Sequence, residues 1–366
     1  MMAGTCGIRP MRRFRHGAFA TDYAAEVTPD DEERLRLSED YPGRGRAHLF
    51  ALAAGRHALR MQGAATDASH TGLVLSTTKA ELAALERLAD TGDALDDMYN
   101  PFRLARALAS DLRLGGPVLA VSNACASGLV AIAAASRILA RGEARTVLVI
   151  GVDVLGEFLL AGFSALAALS ERPCRPYDES RDGLSLGEGA GAILLTTAPI
   201  SPARALAYVA GWSVTNDANH ITAPSRNGDG LVSAMRRALS MAGLDSGDID
   251  CINGHGTGTM YNDLMEAKAL YELFGGDMPP MMSVKGYLAH TLGAAGVIEA
   301  VLSVAAMRER AVPGCLGLER QGVERTLNVS AQSRRVEPMT HLVTIKCGFG
   351  GVNAAVILSK ESPANG

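Results

Sequence analysis

Aromatic residues make up only 5% of this 366-residue chain, so large rings cannot be what fills its core. Long apolar runs are missing too. The longest, Phe158–Leu169, contains Gly162 and Ser164 and falls well short of the ~20 residues that cross a bilayer. No membrane span is expected. A dominant charge is also absent: the net charge is −4, without a lysine-rich run. Duplex nucleic acid binding leaves a basic footprint, so no nucleic acid partner is expected. A small basic patch for an acidic protein partner remains open. The six cysteines (Cys6, Cys125, Cys174, Cys251, Cys315, Cys347) lack CxxC spacing, which disfavours a zinc ribbon or a secreted disulfide scaffold. A reducing, cytoplasmic setting is the natural reading. The residues before Asp22 are Arg-rich and acid-free like a transit peptide, but they contain no serine.

What is present is an ordinary globular composition, 48% hydrophobic and 20% charged, with 40 glycines. The core must be built from Ala, Leu, Val and Ile with closely packed backbones. Apolar β-rich runs alternate with Ala-rich helical stretches. Pro117–Ser122, Thr146–Val152 and Ala190–Thr197 read as strands, with helices over Ala126–Ala140 and Gly156–Leu169. After Pro199–Pro202 the pattern restarts. Strands are expected over Ala205–Val214, Ile249–Asn253, Met281–Val284, Leu342–Lys346 and Ala354–Leu358. Helices are expected over Leu231–Ala242, Asp263–Phe274 and Thr291–Arg308. Such alternation predicts an α/β protein with mainly parallel sheet.

The second half looks like a diverged copy of the first. Ala124–Gly128 (ACASG) corresponds to Ala289–Gly293 (AHTLG), and Gly187–Gly191 to Gly348–Gly351. The paired positions 125/290 and 187/348 lie 165 and 161 residues apart, in the same order. Two halves follow, 1–201 with the cysteine and 202–366 with the histidines. If they pack about a pseudo-twofold, Cys125 and His290 face each other.

Cys125 sits where a strand gives way to a helix, and a helix N-terminus favours thiolate and lowers the thiol pKa. Alone, a cysteine among alanines is more often a small core residue. His255 lies between glycines at the end of an apolar strand, open to a ligand's close approach. Read by itself, that segment is only a turn. Lys285 and His290, five apart, sit on a loop leading into a helix, where a solvated lysine and a capping histidine are the plain alternatives. Gly348-Phe349-Gly350-Gly351 is a flexible nest whose N–H could serve an oxyanion, or simply a tight turn.

Taken in order, ACASG, RPxDxxRDG…GEGAG, HGTxT…D…E, Kx4H and GFGG resemble the β-ketoacyl-acyl-carrier-protein synthases of the elongating type I/II class. Here the motifs are Ala124–Gly128, Arg175–Gly183, Gly187–Gly191, His255–Thr259 with Asp263 and Glu266, Lys285 with His290, and Gly348–Gly351. The resemblance runs from about Gly7 almost to the C-terminus. It implies a thiolase-like fold, with duplicated α/β halves in a layered α/β/α/β/α architecture. It also implies a decarboxylative Claisen condensation that gives a 3-oxoacyl-carrier protein in fatty acid, polyketide or polyene synthesis.

Residue by residue, the resemblance implies that Cys125 takes an acyl group as a thioester. His255 and His290 assist loss of CO2 from a malonyl-carrier thioester and hold the enolate oxygen. The backbone N–H groups of Cys125 and Phe349 hold the oxyanion, and Phe349 resembles a gate between the acyl and malonyl sides. Lys285 and Glu266 resemble structural and electrostatic support, with Gly348 and Gly350 shaping the Phe349 loop. Thr257 and Thr259 match hydroxyls that bind the pantetheine arm. No metal or other cofactor is implied, since substrates arrive on the phosphopantetheine arm of acyl carrier protein. A homodimer, or a heterodimer with a related synthase subunit, is expected.

Three departures stand out. The family usually begins with a strand and helix before the segment resembling Gly7–Pro10, so the first strand of the first half is expected to be missing. Its loss should leave backbone groups and an apolar seam exposed. The Arg-rich opening then reads as internal surface rather than a transit peptide. Ala289 replaces a common glycine and is expected to narrow the approach to His290. Cys347 replaces a common phenylalanine and is expected to enlarge the acyl pocket. His290 argues against the initiating synthases, which pair Cys and His with Asn, and against thiolases, which use a second Cys. A non-catalytic chain-length partner typically lacks the nucleophile, and a Cys/His hydrolase predicts thioester cleavage without malonyl decarboxylation.

Overall fold

The computed structural model describes residues 4–34, 44–62, 68–82, 86, 99–197 and 205–362. Two main sheets organise them. In the first half the strands are β1 (Thr71–Ser76), β2 (Val118–Val121), β3 (Thr146–Asp153) and β4 (Gly189–Thr196), in the order β2-β1-β3-β4. In the second half they are β5 (Tyr208–Asn216), β6 (Cys251–Asn253), β7 (Met281–Met282), β8 (His341–Gly348) and β9 (Val352–Ser359), in the order β7-β6-β8-β9-β5. The two orders superpose position for position, with β5 as the extra strand. This duplicated arrangement matches the thiolase-like fold implied by the motifs. The expected boundary between Ser201 and Pro202 lies outside the described residues.

The sheets are mixed rather than mainly parallel. The pairs β1–β2, β1–β3, β6–β7 and β6–β8 are parallel, whereas β3–β4, β8–β9 and β5–β9 run antiparallel. Antiparallel closure needs only a tight turn where a parallel pair needs a crossover, and Gly348–Gly351 supplies that turn between β8 and β9. The central strand β3, TVLVIGVD, is buried along its whole length, as a strand covered on both faces should be.

The helices that matter to the site are α1 (Arg46–Gln62), α2 (Pro101–Asp111), α3 (Ser127–Ala140), α4 (Glu157–Ala165), α5 (Asp229–Ala242), α6 (Met260–Phe274), the single turn α7 (Lys285–Leu288) and α8 (Ala295–Glu309). Lys285 therefore stands on a helical turn, not on a loop. The helix expected over Thr291–Arg308 begins instead with a 3-10 turn, Leu292–Ala294, where Leu292 has φ +52°. Strand β1 and helices α1 and α2 are not among the elements expected from the sequence. Helix α2 begins at a proline, and the Asn100 side chain accepts from the N–H groups of Phe102 and Arg103.

Helices α3 and α8 meet where the two sheets' layers come together, and glycine makes the contact possible. A Cβ on Gly128 would lie 2.5 Å from the nitrogen of Val297, and one on Gly296 would lie 2.6 Å from that of Leu129. Around this crossing Leu129, Ile132, Val297 and Ala300 form one buried cluster with residues from both sheets. The starts of α3 and α8, which follow Cys125 and His290, are thereby brought close together.

The expectation of a missing strand has its counterpart here. In the second half β5 covers the outer edge of β9 over eight residue pairs, and β9 is buried except at Val352. The corresponding β4 has no strand beyond it among the described residues, and all its residues are only half-buried. Its side chains still pack: Ala190, Ala192 and Leu194 on one core cluster, Ile193 and Leu195 on another. Among the described residues no helix is long and apolar enough to cross a membrane.

Candidate active site

The loop from β2 to α3 places Cys125. Ala124 takes a left-handed φ of +48°, which turns the chain sharply before the cysteine. Ser127 closes the loop, its Oγ accepting from the Asn123 N–H at 2.7 Å and donating to the Ala124 carbonyl at 2.6 Å. Gly348 lies alongside, and a Cβ there would come within 3.2 Å of Asn123 O and Ala126 N. A side chain at 348 would therefore press on the nucleophile loop.

His290 follows Ala289, which also has a left-handed φ, +59°. The His290 N–H donates to the Ser185 carbonyl at 2.8 Å, and its own carbonyl accepts from Gly187 N at 3.0 Å. Its Nδ1 accepts from the Leu292 N–H at 3.1 Å. That bond places the ring proton on Nε2, a buried atom without a protein partner. A donor held this way suits a substrate oxygen. The Ala289 methyl packs in a small core cluster with Ile8, Ala25 and Cys174.

His255 lies two residues beyond the end of β6 and is held through its backbone. Its N–H and that of Gly256 donate to the two oxygens of Glu266, at 2.5 and 2.8 Å. Lys285 Nζ donates to the His255 carbonyl at 2.5 Å and pairs with Glu299 at 2.8 Å. Asp263 collects the N–H groups of Tyr177, Thr257 and Gly258, tying the turn after His255 to the Arg175–Gly183 motif. The hydroxyls of Thr257 and Thr259 are 2.9 Å apart.

The three reactive side chains converge. Cys125 Sγ and one ring nitrogen from each of His255 and His290 all lie within 4.8 Å of one another. The two imidazoles meet edge to face with centroids 5.4 Å apart. Phe349 stacks on Phe163 at 5.9 Å, and its backbone N–H is among the groups that favour the Cys125 thiolate. The Gly350 N–H is already engaged by the Ile221 carbonyl at 2.6 Å. Cys125, His255, Thr257, Glu266, Lys285 and His290 are buried, whereas Thr259, Gly348 and Phe349 are half-buried and Gly350 is exposed.

The electrostatics correct one expectation. Burial pushes the Cys125 thiol up to about 11, outweighing the Lys285 charge and the backbone N–H groups of Phe349 and Cys125. The cysteine rests as a thiol, not as a helix-stabilised thiolate, because desolvation disfavours the charged form more than the helix end favours it. Both histidines are held well below the ordinary imidazole value, so they rest neutral and serve as hydrogen-bonding groups rather than strong bases. Burial is the main cause, followed for both by Lys285. Burial and the neighbouring Asp263 raise Glu266 to about 7.

Several supporting residues escaped the sequence reading. Glu299 is the one acid between Ala295 and Arg308 in an otherwise apolar helix, and Lys346 the one cation in the strand HLVTIKCG. A lone charge inside an apolar element was the available signal. Asp153, at the end of β3, accepts from Thr77 Oγ1, Thr78 N and Gly293 N at 2.8, 3.0 and 2.6 Å. It thereby clasps the first half to the loop that follows His290. Phe163 lay within an apolar helix and gave no signal of its stack on Phe349.

Comparison with known proteins agrees with this geometry. Residues 31–199 match the β-ketoacyl synthase N-terminal domain, and residues 206–319 match the β-ketoacyl synthase C-terminal domain. A 3-oxoacyl-[acyl-carrier-protein] synthase 2 of Rhizobium meliloti (strain 1021) is 35% identical over 85% of this chain and 80% of its own. The ishigamide ketosynthase/chain length factor structure superposes with a TM-score of 0.89 at 29% identity, covering 99% of this chain and 93% of that one. A β-ketoacyl synthase from Burkholderia phymatum STM815 gives 0.87 at 27% identity, covering 99% and 94%. The chain belongs to the β-ketoacyl synthase family, and so to the acyl-transferring condensing enzymes of the thiolase-like fold.

Proposed function

We propose that the chain elongates an acyl thioester by two carbons, using malonyl-acyl-carrier protein and the residues assembled above. The Cys125 sulfur attacks the acyl-carrier thioester, and its proton passes to the departing carrier sulfur. The carrier thiol leaves, and the acyl group stays on sulfur. A malonyl-carrier thioester then binds with its carbonyl oxygen against His255 and His290. Breaking the carboxylate–carbon bond releases CO2 and leaves an enolate held by those donors. The enolate carbon attacks the acyl-Cys125 carbonyl, whose oxyanion meets the N–H groups of Cys125 and Phe349. Collapse expels the Cys125 thiolate and yields the 3-oxoacyl-carrier thioester. Lys285 and Glu266 serve by holding the His255 segment, Gly348 and Gly350 by shaping the Phe349 loop, and Phe349 by separating the two substrate sides. Thr257 and Thr259 are placed on the pantetheine arm. No metal or other cofactor enters this scheme, because neutral hydrogen-bond donors meet each developing charge.

The observation that carries the reading is the convergence of Cys125, His255 and His290 within 4.8 Å. The acyl carrier protein is the proposed substrate-bearing partner. A second synthase chain, identical or related, is the other, seated on the open edge of β2, where Leu119 is exposed. The division into halves 1–201 and 202–366 and a cytoplasmic setting belong to the same proposal.

The test is incubation with acyl- and malonyl-loaded carrier proteins, followed by intact mass. Acylation at Cys125 and a product two carbons longer are expected, both abolished in Cys125→Ala. A folded protein that neither acylates nor condenses would point instead to a non-catalytic chain-length partner. Thioester cleavage without CO2 release would point to a hydrolase.

A further inference from the structure

Lys346 belongs to none of the motifs that define the site, yet its ammonium lies inside the charged cluster behind the histidines. It projects from β8, one residue before Cys347, and is fully buried. Its Nζ is 2.8 Å from Oε2 of Glu299, while Lys285 Nζ is 2.8 Å from Oε1 of the same carboxylate. One anion therefore bridges two cations. Surplus positive charge in a dry interior is costly, so the second cation calls for an explanation.

The backbone around His255 supplies one. Lys346 Nζ donates to the Ile345 carbonyl at 2.7 Å and reaches the Gly254 carbonyl at 3.4 Å. Lys285 Nζ donates to the next carbonyl, that of His255 itself. Successive carbonyls thus face two ammoniums, while the N–H groups of His255 and Gly256 face the Glu266 carboxylate. The charged and titratable groups around Lys346 are Glu299 from α8, Lys285 from α7, Glu266 from α6 and Cys347 on its own strand. The histidines are faced by Lys285, Lys346, Cys125 and each other.

We propose that Lys346 is a positioning residue for the condensation: a second buried ammonium that fixes the Gly254–His255 peptide and acts through space on the charge of the His255–His290 pair. This rests on the reading of those histidines as the pair that assists decarboxylation. Like charge nearby disfavours an imidazolium. Both rings are held below the ordinary histidine value, with Lys346 among the causes at each. Neutral rings are what the enolate-holding role requires, so Lys346 would keep malonyl decarboxylation running at lower pH than Lys285 alone allows.

The experiment measures CO2 release from malonyl-loaded carrier protein between pH 5 and 9, for the wild type and for Lys346→Met, Lys346→Gln and Lys346→Arg. Removing the ammonium leaves Lys285 and Glu299 as a neutral couple, so the Met and Gln variants retain a satisfied interior. Their acid limb is expected to move up by about one pH unit. The ratio of wild-type to variant rate should then rise from one above the limb to about tenfold below it, with Arg restoring the wild-type limb. A purely structural role would instead lower the rate by one factor at every pH. An unmoved limb in folded Met or Gln variants would overturn the proposal, as would failure of every variant to fold. No CO2 from the wild type would sink the functional reading first, and this assignment with it.

Discussion

The two halves build the same strand-to-helix junction and then use it differently. In each, an alanine with left-handed φ, Ala124 or Ala289, directly precedes the reactive residue, Cys125 or His290. In each, an Ala-rich helix starts just beyond. The first half reaches its cysteine by a short loop from β2. The second inserts α7 and a 3-10 turn before α8, which lets Lys285 enter behind the site. The second half also carries His255, Glu266, Asp263, Glu299 and Lys346. The duplication thus keeps one backbone device and separates its chemistry: a nucleophile from one copy, hydrogen-bond donors and charge support from the other.

The sharpest way to break that division is to remove its second-half donors. His290→Ala or His255→Ala should lower malonyl decarboxylation by about 10²–10⁴-fold, while Cys125 remains acylated from an acyl-loaded carrier. Intact mass and CO2 release read the two steps separately. Equal loss of both steps would mean that the halves do not divide the work this way.

A smaller effect tests the axis that joins the halves. Gly128→Val places a branched side chain where even a Cβ would lie 2.5 Å from Val297 N. Overpacking of this kind should cost about 1–3 kcal/mol or more, read as a fall in the denaturant midpoint. A neutral outcome would show that α3 and α8 can separate without penalty.

The smallest effect concerns the shared backbone device. Ala289 has φ +59° and ψ −171°, a region that is essentially glycine's own. Ala289→Gly should relieve about 1 kcal/mol of strain, net of glycine's greater freedom when unfolded. A rise in Tm of about 2 °C is expected. A fall would mean that the methyl's packing against Ile8 and Cys174 outweighs the strain.

Much of this was readable from the chain. The strands Thr146–Val152 and Ala190–Thr197 announced themselves as apolar runs bounded by turn residues, and the helix after Cys125 as a run of small apolar residues. The 165-residue offset between Cys125 and His290 made their facing geometry a consequence of duplication. Antiparallel closure of each sheet was not readable, because strand direction depends on which partner a strand finds. Helix α7 was hidden because four residues carry too little periodicity to register.

The sequence by itself determined the duplication, the order of motifs and the identity of the three converging side chains, because residue type and spacing are local properties. Only the tertiary structure decided their electrostatic state. The helix end at Cys125 argued for a thiolate, yet burial by both halves raised the thiol to about 11 and left the histidines neutral. Desolvation depends on everything that surrounds a group, and most of what surrounds Cys125 comes from residues far away along the chain. For the same reason Glu299 and Lys346, isolated charges in apolar elements, acquired a meaning only when folding set them against Lys285 and the backbone of His255.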